Sequence, residues 1–446
     1  MRILGVAETD SYVKWGAATL GRAPADWERS FVVVRTPLLP TSDQLRAAVD
    51  GLPGDSAPPE ILDLDELRAR VAVERPDVVF LALRGPLIRV VLRTVLEASE
   101  HRPVIVSGLP GISIPATKKA LTFRSQVDLM LLHSKREIRD FTELAVALGL
   151  EQEFGLATLP FLRTASPVAT PRLIDRDEIL FAVQAKVPHT RSDRAEIVAW
   201  LAECARRHPD VRVVVKLRAT GDEKQTHAEL YPYDELLSEI QDRPDNLVAE
   251  TGSMAWHLAR AVGLVTLSST ALIEAVAAGV PGLALDDFGV SRRLINPVFE
   301  DSNLFGSSGD LIGAQFRTPS PEWLDENYFH AETENDWIDR LSRLVAENAL
   351  APLPLRRERY GRTGGRLRHI WDRKRALGQI DRTVIGRFAL VVGHPARATL
   401  MTARRVRRIG RRVLRGRGAQ VPSESLETSP QPRSPSSSST RRPRVP

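Results

Sequence analysis

Residues 264–285 read LVTLSSTALIEAVAAGVPGLAL, and this stretch decides the fold. Leu264–Leu267 is an apolar strand pattern, and Ser268, Ser269 and Thr270 follow where a helix N-cap belongs. Ala271–Ala278 is compact and helix-forming. Gly279 is a natural helix end, Pro281 blocks continuation, and Gly282–Leu285 is apolar again. Strand, very short helix, strand is a βαβ unit, and such units build parallel sheets.

The hydroxyls have two readings. They cap the helix, or they also bind an anion, because a helix N-terminus offers free N–H groups and partial positive charge to a phosphate. In open α/β sheets ligands sit beyond the carboxyl ends of the strands, and Ser268–Thr270 lie at such an end.

At 446 residues the chain exceeds one ordinary core, so two domains with additions are expected. The single cysteine, Cys204, excludes an internal disulfide and a cysteine metal cluster, which fits a cytoplasmic compartment. MRILGVAETD enters a strand pattern directly, without the apolar stretch of a signal peptide, and no apolar run approaches the ~20 residues of a membrane span. The net charge of +6 divides unevenly. Residues 382–418 hold eleven Arg and no Lys, Asp or Glu, and residues 419–446 add +2, which leaves the first 381 residues at −7. With an acidic body and a basic appendage, a globally basic nucleic-acid-binding domain is a poor fit.

Apolar strand patterns alternate with helical ones along the chain. Strands are expected at Arg2–Ala7, Phe31–Arg35, Asp77–Leu83, Val104–Gly108 and Asp128–His133, then at Glu178–Gln184, Arg212–Arg218, Leu247–Ala249, Leu264–Leu267 and Gly282–Leu285. Helical patterns lie between them, among them Ser42–Val49, Leu64–Glu74, Ile88–Ser99, Ser192–Arg207, Tyr233–Ile240 and Met254–Ala261. Two successive βα series predict two doubly wound, Rossmann-like domains, 1–165 and 176–350, facing a cleft and joined near the Pro-, Ser- and Thr-rich residues 164–177. Trp337–Glu347 is an amphipathic helix, and the Arg-rich residues 351–380 are expected to form a helical extension packing across the domains. Residues 396–418 set Met401, Val406, Ile409 and Val413 among arginines, the pattern of a basic helix at an anionic membrane surface. Residues 419–446 are low-complexity and read as a disordered tail.

The second half resembles the nucleotide-binding domain of a GT-B glycosyltransferase. SSTALIEAVAAGVPGLALDD is similar to a segment of polysialyltransferases, CDP-glycerol glycerophosphotransferases and related bacterial capsule enzymes, and DLMLLHSKRE (128–137) is similar to a D…HS…E segment that ends the first domain's sheet in many GT-B proteins. The whole chain resembles a group of actinobacterial glycosyltransferase-like proteins. The resemblance implies a nucleotide-sugar donor, a glycan or lipid-linked acceptor, and an enzyme that needs neither metal nor cofactor. It also implies that Glu274 contacts the donor's ribose. Those transferases carry a His-Pro pair near the strand before the nucleotide site. Lys216 and Arg218 stand there in this sequence, two cations suited to clamping a diphosphate or a sugar carboxylate; the alternative is solvated strand-end charge.

In the first half, AETDSYVKWG follows the first strand. Asp10 is a candidate general base for an acceptor hydroxyl, with Glu8, Ser11 and Lys14 beside it and Trp15 available to stack on a sugar or base; a capping Asp10 and a core Trp15 are the plainer reading. SGLPGISIPATKKALTFR (107–124) offers Gly108 and Gly111 for close backbone approach to a ligand, with Lys118, Lys119 and Arg124 as cations. Asp286 and Asp287 end a strand as paired carboxylates, a metal-binding possibility set against the metal-free GT-B pattern. No dinucleotide or P-loop motif, nucleophile elbow or zinc spacing occurs. A glycosyltransferase active at the inner face of the cell membrane is the function expected. The alternatives are a non-catalytic GT-B-like nucleotide-binding protein, favoured by the missing His-Pro pair, and a nucleotide-sugar 2-epimerase, which would have no use for the basic tail.

Overall fold

Short, almost uninterrupted apolar runs form the strands of two parallel sheets, as sheets covered on both faces require. The computed structural model describes residues 1–49, 58–162, 176–217, 230–356, 358, 365–383 and 385. The first sheet holds β1 (Arg2–Ala7), β2 (Glu28–Val34), β3 (Glu60–Leu62), β4 (Val78–Ala82), β5 (Val104–Gly108), β6 (Leu129–Leu132) and β7 (Glu153–Leu156), in the order β3-β2-β1-β4-β5-β6-β7. The second holds β8 (Glu178–Ala182), β9 (Arg212–Lys216), β10 (Leu247–Glu250), β11 (Ala261–Thr266), β12 (Gly282–Leu285) and β13 (Phe305–Gly306), in the order β10-β9-β8-β11-β12-β13. Every pairing within these sheets is parallel.

The crossover helices of the first domain are α1 (Asp10–Leu20), α2 (Ser42–Val49), α3 (Leu64–Glu74), α4 (Gly85–Ala98), α5 (Lys118–Phe123) and α6 (Lys135–Leu148). Those of the second are α7 (Arg191–Arg207), α8 (Tyr233–Ser238), α9 (Met254–Arg260), α10 (Ala271–Ala277), α11 (Ser308–Ile312) and α12 (Pro321–Glu326), followed by α13 (Trp337–Leu350) and α14 (Gly365–Leu377). Neighbouring residues of a strand serve opposite faces. Ile3, Val78, Phe80, Val104 and Val106 join one core cluster, while Leu4, Val79, Leu81 and Ile105 join the other. Each such fully buried aliphatic side chain contributes about 1.5–3 kcal/mol.

Both sheets reverse strand order once, between β1 and β4 in the first and between β8 and β11 in the second. These switch points open a crevice at the carboxyl edge, where doubly wound folds hold ligands. The opening segment feeds the second one: β11, α10 and β12 form the expected βαβ unit, with Gly279 at φ 67° just past the helix, a conformation that suits glycine.

The C-terminal helices depart from expectation. Trp337, Leu341 and Leu344 of α13 enter the first domain's core, so 337–350 packs with the first sheet and not with the second domain. Helix α14 packs against α4, and Leu377 joins the same domain's other core cluster, so the described part of the extension is anchored on the first domain. Arg89 of α4 anchors it through Glu358 and Asp372. The expected linker at 164–177 lies almost wholly outside the described residues, as do the basic segment 396–418 and the tail 419–446.

Candidate functional site

At the second switch point, Gln184, two residues beyond β8, accepts hydrogen bonds from the Ser268 backbone N–H (2.9 Å) and hydroxyl (3.0 Å) beyond β11. The bridge commits Ser268 to holding the two strand ends together. Ser269 Oγ accepts from the Ala271 N–H at 3.2 Å, whereas the Thr270 side chain makes no capping bond. The cap is thus Ser269's, and Thr270 leaves its hydroxyl at a half-buried position. The loop opposite is braced by Arg194, a buried α7 residue that donates to the carbonyls of Gln184, Ala185, Pro188 and Tyr231.

Lys216 ends β9 and is buried, its Nζ donating to the Leu217 carbonyl at 2.7 Å. Burial lowers its pKa, and the Glu274 carboxylate opposes that shift. Glu274, in the first turn of α10, has its pKa raised by burial; Lys14 and then Lys216 oppose the rise. Lys14 belongs to α1 of the first domain, so the two domains bring Lys14, Lys216 and Glu274 into one electrostatic group. Arg218 lies outside the described residues.

On the first domain's side, Asp10 opens α1 and accepts from Lys14 Nζ at 3.0 Å through Oδ2, while Oδ1 is buried with no partner among the described residues. Glu8, just past β1, is fully buried and ion-paired with Arg84, which follows β4 across the first switch point. Burial raises the Glu8 pKa, with Arg84 opposing it. The second expected loop also reaches the other domain: a Cβ on Gly111 would stand 3.6 Å from Thr270 Cγ2.

Three expected ligand contacts are corrected. Trp15 is buried in the core; its Nε1 donates to His133 Nε2 at 2.8 Å and its ring packs on Phe80, so it presents no face to a sugar. Gly108 makes room for that indole and not for a ligand, since a Cβ there would lie 2.6 Å from Trp15 Cζ2. Arg124 is likewise internal, donating to Ser107 Oγ, the Leu83 carbonyl and Tyr12 Oη. Lys118 and Lys119 remain exposed on α5.

The D…HS…E segment organises the fold around the site. Asp128 accepts from the Ile105 N–H and Arg102, and Ser134 caps α6. Glu137, fully buried, accepts from the N–H groups of Ser113 (2.7 Å) and His133 (2.9 Å) and from Tyr328 Oη (2.8 Å). It therefore ties the loop carrying Gly111 to the segment following α12. Burial pushes Glu137 up to about 7 and His133 down to about 4. Sequence reasoning missed Arg84, Gln184 and Tyr328. A polar residue just after an apolar strand was the available signal for the first two; the third has none.

Two acidic groups bear on metal. Asp287 is committed to α11, accepting from the N–H and hydroxyl of Ser308. Glu178, Glu250 and His257 bring ligand atoms within 4.8 Å of one another. Arg212 and Arg260 already neutralise Glu178, which begins β8 and so faces away from the carboxyl edge.

Two doubly wound, parallel-sheet domains are the GT-B-like architecture. Residues 3–344 match the family model described as Putative glycosyltransferase (DUF6716), and the chain belongs to that family. Curated proteins yield no significant sequence match. Among solved structures, an S. aureus MnaA–UDP co-structure is similar at 12% identity and TM-score 0.51, covering 81% of this chain and 100% of that one. A UDP-GlcNAc 2-epimerase structure from Methanocaldococcus jannaschii is similar at 13% identity and TM-score 0.49, covering 78% and 100%. One described as a putative UDP-N-acetylglucosamine 2-epimerase from Listeria monocytogenes follows at 13% identity and TM-score 0.48, covering 80% and 98%. No helix among the described residues is long and apolar enough to cross a membrane.

Proposed function

We propose that this protein transfers a sugar from a nucleotide-sugar donor to a surface-polysaccharide or lipid-linked acceptor. One observation carries the reading: Gly111 of one domain stands against Thr270 of the other at a switch point, where Lys14 of the first domain and Lys216 of the second both oppose the rise that burial imposes on the Glu274 carboxyl. The donor's phosphates take the Ser269–Thr270 end of α10. Lys216 neutralises the diphosphate as it leaves, and Glu274 accepts from the ribose hydroxyls. In the transfer, the acceptor oxygen bonds to the anomeric carbon as the bond from that carbon to the phosphate oxygen breaks. The electron pair stays on the diphosphate, and the acceptor's proton passes to a first-domain carboxylate, Asp10. Neither a metal nor a cofactor enters this scheme.

The basic segment 396–418 would bring the enzyme to an anionic inner membrane surface, where lipid-linked acceptors reside. No nucleic-acid partner is invoked. The test is a screen of the purified chain against nucleotides and nucleotide sugars, starting with UDP, the ligand of the similar S. aureus structure. Labelled donor is then incubated with glycan and lipid-linked acceptors. Transfer supports the proposal. Conversion of the donor sugar without acceptor would mark a nucleotide-sugar 2-epimerase, and binding with neither reaction a non-catalytic protein.

A further inference from the structure

Arg84 stands at the first switch point and is used by nothing in the scheme above. Its Nε bonds Glu8 Oε1 across the crevice between β1 and β4. Glu8 is wholly buried, while the Arg84 side chain keeps about a third of its surface exposed. Among the described residues, the terminal Nη1 and Nη2 groups of Arg84 have no hydrogen-bond partner. The neighbouring Leu83 carbonyl is fixed from below by Arg124, which also bonds Ser107 and Tyr12, so the strand end carrying Arg84 is rigid. A buried carboxylate that holds one side of a guanidinium orients it and leaves its outer fork accessible to a ligand. That fork matches the two oxygens of a phosphate or carboxylate.

Glu8 and Asp10 are two residues apart, so the carboxylate that holds Arg84 and the candidate base leave the same end of β1. The net charges of the Glu8–Arg84 and Asp10–Lys14 pairs cancel, so recognition rests on the fork's geometry and not on bulk attraction.

We infer that Arg84, aimed by Glu8, binds an oxyanion of the acceptor, which is therefore a phosphate- or carboxylate-bearing sugar. This rests on the glycosyltransferase reading and adds the acceptor's chemical class.

The experiment uses the full chain saturated with UDP and three probes that differ only at C6: glucose 6-phosphate, glucuronate and glucose. At least one anionic probe binds tenfold or more tightly than glucose, and which one identifies the source of the oxyanion. The double variant Glu8→Gln/Arg84→Gln, which keeps a neutral hydrogen-bonding pair in the buried site, removes that preference and changes UDP affinity less than twofold. If the double variant does not fold, Arg84→Lys decides, keeping the charge but losing the fork and at least fivefold of the preference. The inference is overturned if all three probes bind alike, if the variant read keeps the preference, or if it weakens UDP as much as the probe. Failure of every nucleotide and nucleotide sugar to bind wild type overturns the parent reading instead.

Discussion

Lys14 of the first domain and Glu274 of the second are coupled across the cleft, the lysine opposing the rise that burial imposes on the carboxyl. Neither sheet holds both partners, so the pair exists only when the domains face each other. Lys14→Ala and Glu274→Gln are each expected to lower kcat/KM about tenfold or more. Because the two share one field, the double variant should lose less than the product of the single losses, a coupling of about 0.5–3 kcal/mol. Multiplicative losses in steady-state kinetics would show that the pair does not act as a unit.

The Ser269→Ala/Thr270→Ala protein should fold, since a lost cap costs about 1 kcal/mol, yet show no nucleotide-dependent rise in Tm. Only Ser269 caps α10 among these two side chains, so the structural cost belongs to one residue. A variant that unfolds outright would make the hydroxyls structural, and an unchanged nucleotide response would remove them from the site.

Gly108 at the end of β5 and Gly111 in the loop that follows separate two uses of glycine. A Cβ on Gly108 meets Trp15 Cζ2 at 2.6 Å and the Leu131 carbonyl at 2.8 Å, and the latter is backbone that cannot yield. Gly108→Ala should cost about 1–3 kcal/mol in urea unfolding. Gly111→Ala meets only Thr270 Cγ2 at ordinary contact distance and should stay within about 0.5 kcal/mol of wild type. Equal losses at the two positions would contradict the packing described.

Much of this was legible in the sequence and some was not, for physical reasons. Buried parallel strands announce themselves as apolar runs, which is why Arg2–Ala7, Val104–Gly108 and Gly282–Leu285 stand as expected. Strands β3 and β13 have three and two residues, too few to show any pattern, and β7 has only four. The α13 stripe shows that a helix buries one face but not which sheet receives it, and its apolar residues turned back to the first domain. Nor does the sequence say which way an aromatic points: Trp15 sits one turn into α1, where inward and cleft-facing positions alternate within a few residues. Site residues drawn from both halves, such as Lys14 and Glu274, were nameable one by one; their meeting needed the fold.

Glu137 and His133 predict a pH signature. Glu137 rises from 4.5 to about 7 in the folded protein, so the native state binds more protons in that window. Its contribution is full below pH 4.5 and is lost as pH climbs through 7. His133 falls from 6.5 to about 4, so its contribution is full above pH 6.5 and is lost on acidification. The two slopes oppose each other between pH 4.5 and 6.5 and flatten wild-type stability there. Glu137→Gln removes one of them. Whatever its absolute stability, the variant should gain about 3 kcal/mol relative to wild type between pH 4.5 and 7.5, read by urea unfolding. Parallel stability–pH curves for the two proteins would show that Glu137 keeps an ordinary pKa.

The most direct test of a donor site at the second switch point is calorimetric titration of wild type and Lys216→Ala with UDP and with uridine. If UDP proves not to be the nucleotide, the diphosphate and nucleoside of the base found in the screen replace them. Lys216 faces the diphosphate in this account, so its removal should weaken the nucleoside diphosphate by about 1.5–3 kcal/mol and leave the nucleoside nearly unchanged. Equal weakening of both ligands, or no loss for either, would contradict it.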